Sequence, residues 1–244
     1  MSILCYHSLD PAWSSPMAVA PATFAAHAAW LARRRGVVSA ERAAAAMSRR
    51  GALPRGMAAL TFDDGYSDLY DHALPALSRH RLPATVFLVT DTLTLGKTVD
   101  WVDDPPPHEL ATLTAEQVLE MQDAGVAFGS HSRAHADLTA LSYDACVADL
   151  KASREALEDL LRRRVTLLAY PRGRHDDDVR RAAAGAGFEA AFTLPEGREV
   201  VSRLSVPRAG VYGHNGAATL RLKTARGYVA ARMRLGRYRR TSSS

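Results

Sequence analysis

The sequence predicts an α/β protein in which helices surround a parallel β-sheet. Three observations support this. Strand-like and helix-like segments alternate along the 244 residues, the hydrophobic fraction of 47% is sufficient for a large core, and two motifs of acidic and imidazole side chains follow strands. Such alternation builds either an open sheet or a barrel. The length fits one large domain better than two small ones.

Short apolar segments bounded by turn residues indicate the strands. The first covers residues 3–6 and is followed by His7, and the second covers 57–63 and ends on two acids. Further strands are expected at 84–90, 126–129, 165–170, 188–194 and 206–211.

Helices are expected between these strands. Pro21 opens the first helix, and the spacing from Thr114 to Gln117 is that of a capping box. The expected helices are 23–35, 41–50, 67–80, 114–123, 142–164, 176–186 and 216–235. Residues 92–113 include three consecutive prolines, which predict a surface loop. This loop is expected to lie over the site formed by the acidic and imidazole motifs.

The C-terminal region is set apart by its basic residues. We therefore predict a catalytic domain over residues 1–215 and a basic helix and tail over 216–244. The basic cluster consists of Arg232, Arg234, Arg237, Arg239 and Arg240. It predicts either a solvated end or contact with an anionic, lipid-linked precursor. The net charge is +5, but no nucleic-acid-binding module accompanies it, and we expect no nucleic-acid partner.

The cysteines and the hydropathy of the sequence indicate the redox state and the cellular compartment to expect. Cys5 and Cys146 lie in apolar segments, which predicts buried thiols rather than a disulfide or a metal pair. No stretch approaches the ~20 apolar residues of a transmembrane span. The sequence as given has no signal-peptide pattern, so we expect a cytoplasmic protein. Its Ala- and Arg-rich composition suggests a bacterial source.

Two motifs carry the candidate chemistry. Asp63 and Asp64 are adjacent at the end of the second strand, and His131 and His135 are four residues apart after the fourth. Because the carboxyl ends of barrel strands share one face, we expect these side chains to meet. Two histidines and one aspartate form a three-ligand divalent-metal site, and the other aspartate is free to act as a base. Taken singly, turn aspartates and a surface histidine pair are the alternatives.

The strings Thr61-Phe62-Asp63-Asp64-Gly65 and His131-Ser132-x-x-His135 together resemble the polysaccharide deacetylase family, the NodB-like carbohydrate esterase family 4. The resemblance covers roughly residues 3–211. It implies an irregular (β/α) barrel that hydrolyses the acetamide of an N-acetylated amino sugar. It also implies that Asp63 is the general base and that Asp64, His131 and His135 bind a metal. Zinc is expected, although Co²⁺ or Ni²⁺ suits the same ligands.

Two departures from the family pattern assign further residues. Ala169 stands where the third family motif has the arginine that orients the base, so Arg208 or Arg172 is expected to supply that charge, and we assign Arg208. The family's C-terminal Leu-x-His motif is missing. However, Leu4-Cys5-Tyr6-His7 resembles the subgroup that includes the poly-N-acetylglucosamine deacetylases, in which a strand ending in Tyr-His comes first. His7 is therefore expected to be the general acid that protonates the leaving amine.

The substrate-binding residues expected on this basis are Tyr66, Trp101, Tyr170, Pro171 and Arg172. Tyr170 and Pro171 are expected to line an acetyl pocket, and the backbone near Tyr66 to supply an oxyanion donor. Trp101 is expected either to stack on a sugar or to pack on its own loop. Two alternative functions stay open: an O-acetyl esterase or other amide hydrolase of the same fold, and a catalytically inactive carbohydrate-binding module.

Overall fold

The structure is a computed structural model that describes residues 2–195 and 200–241, with side chains for all of these except residues 235–241. Its β-strands occupy most of the segments expected from the apolar pattern. They are Ile3–Tyr6 (β1), Gly36–Val37 (β2), Met57–Phe62 (β3), Ala84–Leu88 (β4), Ala127–Ser130 (β5), Leu167–Ala169 (β6), Ala190–Thr193 (β7), Val206–Pro207 (β8) and Ala209–Gly210 (β9). The very short β2 is an addition that the sequence did not indicate.

Four of the described α-helices begin at a side-chain cap, and one of these caps, at Thr114, was predicted. Side chains of Ser39, Thr114, Ser142 and Asp176 each accept a hydrogen bond from the first turn of the helix that follows, and Thr114 with Gln117 completes the predicted capping box. The helices are Pro21–Arg34 (α1), Ala40–Arg50 (α2), Leu74–His80 (α3), Thr90–Thr94 (α4), Ala115–Asp123 (α5), Tyr143–Leu161 (α6), Asp177–Gly185 (α7), Ala217–Lys223 (α8) and Tyr228–Thr241 (α9).

The strands form a parallel sheet that curls into an incomplete barrel. The strand order is β8-β7-β6-β5-β4-β3-β1-β9, with β2 paired beside β3. β8 and β9 lie at opposite ends of this order, yet Arg208 alone separates them in the chain. Within the described residues no ladder joins β8 to β9, so the barrel is irregular at this seam. The predicted irregular (β/α) barrel is confirmed.

Alternation along the strands decides which side chains enter the barrel. In β1 and β3, Leu4 and Leu60 face the helices, whereas Ile3 and Ala59 belong to an inner cluster with Phe87. The inner cluster is covered by the alanine-rich face of α2. The same period of two directs the residues that follow Tyr6 and Phe62 towards the barrel mouth, and this is where the candidate site lies.

Three expected elements are subdivided in the structure. Residues 206–211, expected as one strand, form β8 and β9 on either side of Arg208. The helix expected at 67–80 begins with a π-helical turn, Leu69–Ala73, before α3. The helix expected at 216–235 is wrong as a single element, because the chain turns between α8 and α9 at Gly227, whose φ is +81°.

The C-terminal helices pack on the rest of the protein. Leu220, Val229 and Met233 are buried in the same cluster as the outer face of the sheet. The division at residue 215 stays a prediction. Of the predicted basic cluster, the side chains of Arg237, Arg239 and Arg240 lie outside the described residues, as do residues 242–244. None of the described helices combines the length and apolarity that crossing a bilayer requires.

Candidate metal and active site

Side chains that follow three separate strands line one cavity of about 240 Å³. The predicted residues in its wall are His7, Asp63, Asp64, Tyr66, Trp101, His131, His135 and Arg172. The lining residues that the sequence reasoning missed are Ser15, Met17, Val102, Asp103, Asp104 and Leu194. Val102, Asp103 and Asp104 belong to the loop 92–113 that was expected over the site, although they were not named individually. The other three lie in segments without a motif, so nothing in the sequence pattern identified them.

Asp64, His131 and His135 form a group suited to a divalent cation. The Nε2 atoms of His131 and His135 lie 3.5 Å and 3.4 Å from Asp64 Oδ1. That buried oxygen has no hydrogen-bond partner among the described residues, and the three ligand atoms lie within 4.8 Å of one another. His131 Nδ1 donates to the Ala169 carbonyl at 2.8 Å, which assigns the lone pair to Nε2. An unpartnered carboxylate oxygen facing ring nitrogens of two imidazoles fits such an ion.

The histidine loop is braced by two serines. Ser130 Oγ accepts from the Ser132 N–H at 3.1 Å, and Ser132 Oγ accepts from the His135 N–H at 3.0 Å. Asp64, Ser132 and His135 have φ values of +68°, +66° and +54°, a region that non-glycine residues rarely occupy. The surrounding hydrogen bonds hold this strained backbone at the site.

Asp63 is bound by Arg208. Nη1 and Nη2 of Arg208 donate to Asp63 Oδ1 and Oδ2, each at 2.6 Å, and Nη1 also donates to Thr61 Oγ1 at 3.1 Å. The arginine is buried, with its guanidinium 5.5 Å from the ring centroid of Phe87. Arg172, the other arginine considered, donates to the Trp101 carbonyl and lies partly exposed at the rim.

The two adjacent carboxyl groups are in different electrostatic environments. Burial alone would raise the pKa of Asp63. The positive charge of Arg208, and to a smaller extent His131, instead lowers that pKa below its ordinary range. Burial raises the pKa of Asp64, where no such arginine is present. Burial and the neighbouring His131 lower the pKa of His135 to about 2, so its imidazole is neutral. Asp63 is thus an arginine-bound carboxylate, and Asp64 is available to a cation.

A second set of potential ligands, Cys5, His7 and Asp63, also has its ligand atoms within 4.8 Å of one another. The Cys5 thiol lies 3.3 Å from Asp63 Oδ2 and donates to it, and burial raises the pKa of that thiol. Because Arg208 already neutralises Asp63 and would repel a cation, the group at Asp64 is the better metal site. Cys5 and Cys146 are both free and buried, as predicted.

His7 is buried in the cavity wall, and Asp68 braces the loop that follows it. The Asp68 carboxylate accepts from the Leu9 N–H at 2.7 Å and from the Ser8 hydroxyl at 2.6 Å. Asp68 was not among the predicted site residues, although it stands only four residues after Asp64.

The predicted substrate residues divide into two groups. Trp101 stacks on the His135 ring with centroids 4.7 Å apart, and Tyr66 packs edge-on against Trp13. Tyr170 and Pro171 do not line the cavity. The Tyr170 hydroxyl instead donates to the Leu204 carbonyl at 2.9 Å. Alternation explains the difference, because Ala169 faces the inner cluster and the next side chain therefore faces the helices.

Comparisons of this chain with known proteins show the family to which it belongs. The family described as polysaccharide deacetylase matches residues 50–191. The Bacillus subtilis protein YxkH is 28% identical over 198 residues, which are 81% of this chain and 65% of that protein. A poly-beta-1,6-N-acetyl-D-glucosamine N-deacetylase of Staphylococcus epidermidis is 31% identical over 159 residues, 60% of this chain and 51% of that one.

Among solved structures, the Streptococcus pyogenes deacetylase PplD in complex with acetate superposes with a TM-score of 0.77 at 26% identity, covering 92% of this chain and 98% of PplD. The chain thus spans about half to two thirds of the curated relatives and nearly all of PplD. The family match covers more than half of the chain, in the segment that contains Asp63, Asp64, His131 and His135. The chain therefore belongs to the polysaccharide deacetylase family, the NodB-like carbohydrate esterase family that its two motifs resemble.

Proposed function

We propose that this protein is a metal-dependent N-deacetylase that hydrolyses the acetamide of an N-acetylated amino sugar to a free amine and acetate. One observation carries the proposal: two adjacent buried aspartates face one cavity, where Arg208 binds Asp63 and Asp64 faces two histidines. That separation provides a base and a cation site side by side. The name of the Staphylococcus epidermidis relative and the acetate in PplD support the same chemistry.

Asp63 is proposed as the general base. Its two oxygens are oriented by Arg208, so the carboxylate is ionised and held in one position before it accepts a proton from the attacking water. Asp64, His131 and His135 would hold a divalent cation, which supplies polarisation of the acetamide carbonyl when it is bound. Zinc is the ion we propose, because it is common with a His₂-carboxylate ligand set.

His7 is proposed to act on the amide nitrogen, and the backbone of Tyr66 on the amide oxygen. His7 lines the cavity beside Asp63 and would protonate the leaving nitrogen. The Tyr66 backbone N–H makes no hydrogen bond among the described residues, so it is available to a developing oxyanion. Trp101 and Arg172 form the wall where the sugar would lie.

The experiment is a measurement of acetate release. Oligomeric, nucleotide-linked and lipid-linked N-acetylglucosamine substrates are incubated with zinc-loaded wild type, with the Asp63→Asn variant, and with wild type treated with a chelator. We expect release from at least one substrate by the zinc-loaded wild type alone. The substrate that responds identifies the class, and the cellular compartment stays a prediction of the sequence.

The acid that is released and the metal content together separate the alternative functions. Release of acetate only from O-acetylated sugars, or release of a different acid from another amide, would replace the N-deacetylase by another hydrolase of this fold. Purified protein without stoichiometric metal and without turnover would favour a binding module. Unchanged acetate release by Asp63→Asn would contradict the assignment of the base.

A further inference from the structure

A second cavity, of about 360 Å³, lies between the C-terminal end of α2 and the beginning of α9. It shares no lining residue with the cavity at Asp64. Its wall is mainly aliphatic, with Arg234 as the one charged side chain among its described lining residues, and the larger apolar side chains are those of Met47, Leu53, Val201, Pro207, Val229 and Met233. This volume falls within the ~300–1,000 Å³ typical of small-molecule sites, and such a wall favours an aliphatic group.

A basic cavity of about 300 Å³ adjoins the aliphatic one. Arg50, Arg55 and Arg226 line it, and all three are exposed to solvent. The residues common to both cavities are Ala52, Leu53 and Gly227. An aliphatic space therefore opens directly into a space surrounded by guanidinium groups.

The charges in the basic cavity have no counterions among the residues that the structure describes. Within the part of the chain that the structure describes, no ion pair involves Arg50, Arg55 or Arg226, and no acidic residue lines either cavity. Gly227 precedes α9, whose first turn has no acidic residue, so the positive end of this 14-residue helix adds to the same potential. Clustered cations without acidic partners attract an anion.

We propose that the joined cavities bind a single-chain amphiphile that ends in a phosphate. The aliphatic chain occupies the cavity between α2 and α9, and the phosphate lies among Arg50, Arg55 and Arg226. Three guanidinium groups match a doubly charged phosphate better than a singly charged carboxylate, because each presents paired N–H donors to its oxygens. This proposal does not depend on the chemistry at Asp63 and Asp64.

The test is isothermal titration calorimetry of the full chain with dodecyl phosphate, dodecanoate and dodecanol, each below the concentration at which it aggregates. We expect one molecule of dodecyl phosphate to bind, more tightly than the other two ligands. Ala52→Trp places a bulky ring where the cavities join and should abolish binding. The double variant Arg55→Gln, Arg226→Gln should weaken dodecyl phosphate about tenfold and leave dodecanol unchanged.

The matched control is Arg33→Gln with Arg79→Gln, which removes the same charge from exposed positions on α1 and α3. It should bind dodecyl phosphate like wild type. The melting temperature of every variant should also match wild type, which shows that the fold is retained. The proposal is overturned by binding only to aggregated ligand or to vesicles, by tighter binding of dodecanoate, by equal affinity for dodecanol, or by full affinity in Ala52→Trp.

Discussion

Arg208 and Asp63, which are 145 residues apart in the chain, form a buried two-point ion pair with both N–O distances at 2.6 Å. By resemblance to the family, the third motif would place an arginine where this chain has Ala169, and we propose that Arg208 supplies the contact instead. In this protein the charge comes from the seam of the barrel. Ala169 itself contributes only its backbone carbonyl, which accepts a hydrogen bond from His131 Nδ1.

Arg208→Ala should remove both stability and turnover. Loss of one partner leaves a buried unpaired carboxylate, which typically costs about 3–5 kcal/mol of unfolding free energy. We expect acetate release to fall at least ~100-fold, because the base loses its orientation and its ionised form is no longer favoured. Urea denaturation and steady-state kinetics measure the two effects.

Two further variants test the origin of that loss. Arg208→Ala combined with Asp63→Asn removes the unpaired charge, so it should recover much of the stability but none of the activity. Arg172→Ala, at the exposed rim, should retain the fold and kcat of wild type, with its loss confined to KM, because Arg172 lines the wall where the sugar would lie. Equal losses in Arg172→Ala and Arg208→Ala would show that the ion pair has no special part in catalysis.

His7→Ala should lower kcat by about 10²–10⁴-fold if the imidazole protonates the leaving amine. The metal content should not change, because His7 does not belong to the group around Asp64. Metal analysis beside single-turnover kinetics makes this comparison, and His80→Ala, on the distant helix α3, is the matched control. A variant that keeps its metal and most of its turnover would rule out the assignment of His7.

Asp68 predicts a pH dependence of stability. Burial raises its pKa from 3.8 to about 6, even though hydrogen bonds from Ser8 and Leu9 act in the opposite direction. The folded state therefore binds more protons than the unfolded state between these values, and this group's contribution to stability is lost as the pH rises through 6. One pKa unit corresponds to about 1.36 kcal/mol, so the full loss of unfolding free energy is about 3 kcal/mol.

Asp68→Asn removes that titration. Unfolding free energies of wild type and Asp68→Asn are compared at pH 4 and pH 7.5, and the difference between the two proteins is taken at each pH so that other groups cancel. Wild type should lose stability relative to the variant on going to the higher pH. A constant difference would mean that the pKa of Asp68 is not raised by folding.

Gly65 tests the backbone next to the metal group. Its φ is +72°, and an added Cβ would lie 2.5 Å from Leu88 Cδ2. Gly56 has a φ of +78° with nothing within 4 Å of such an atom, so Gly56→Ala measures the conformational cost alone. We expect about 1 kcal/mol for Gly56→Ala, and a further ~1–3 kcal/mol from overpacking in Gly65→Ala.

Gly65→Ala should also reduce metal affinity, because Leu88 and the strained Asp64 backbone adjust together. Thermal unfolding and zinc titration provide the two measurements. Equal stability losses in the two variants would show that Leu88 moves aside without effect.

The sequence predicted the site better than it predicted the details of the barrel. Asp63, Asp64, His131 and His135 were expected to meet because parallel strands deliver their carboxyl ends to one face, and the structure places them there. Tyr170 was assigned to the same cavity as a residue of the third family motif, but strand alternation, which depends on the exact end of β6, directs it to the outer core.

The division between β8 and β9 was harder to predict from sequence. Residues 206–211 have the apolar composition of one strand, and only closure of the sheet shows that the two halves pair with different neighbours. Closure depends on contacts distant in sequence, which local propensity does not encode. Asp68 was missed for a similar reason, since its role depends on a loop some 60 residues away.

The seam at Arg208 also determines when the site is completed during synthesis. Ribosomes release the N-terminal portion first, so β1 to β8, with both aspartates and both histidines, emerge before Arg208 and β9. Until then Asp63 has no cationic partner and the sheet has an open edge beside β1. A nascent or prematurely terminated chain that stops at Pro207 therefore has both aspartates and both histidines but not the guanidinium that binds Asp63. Asp63 therefore gains its cationic partner only after the chain has been synthesised past the seam.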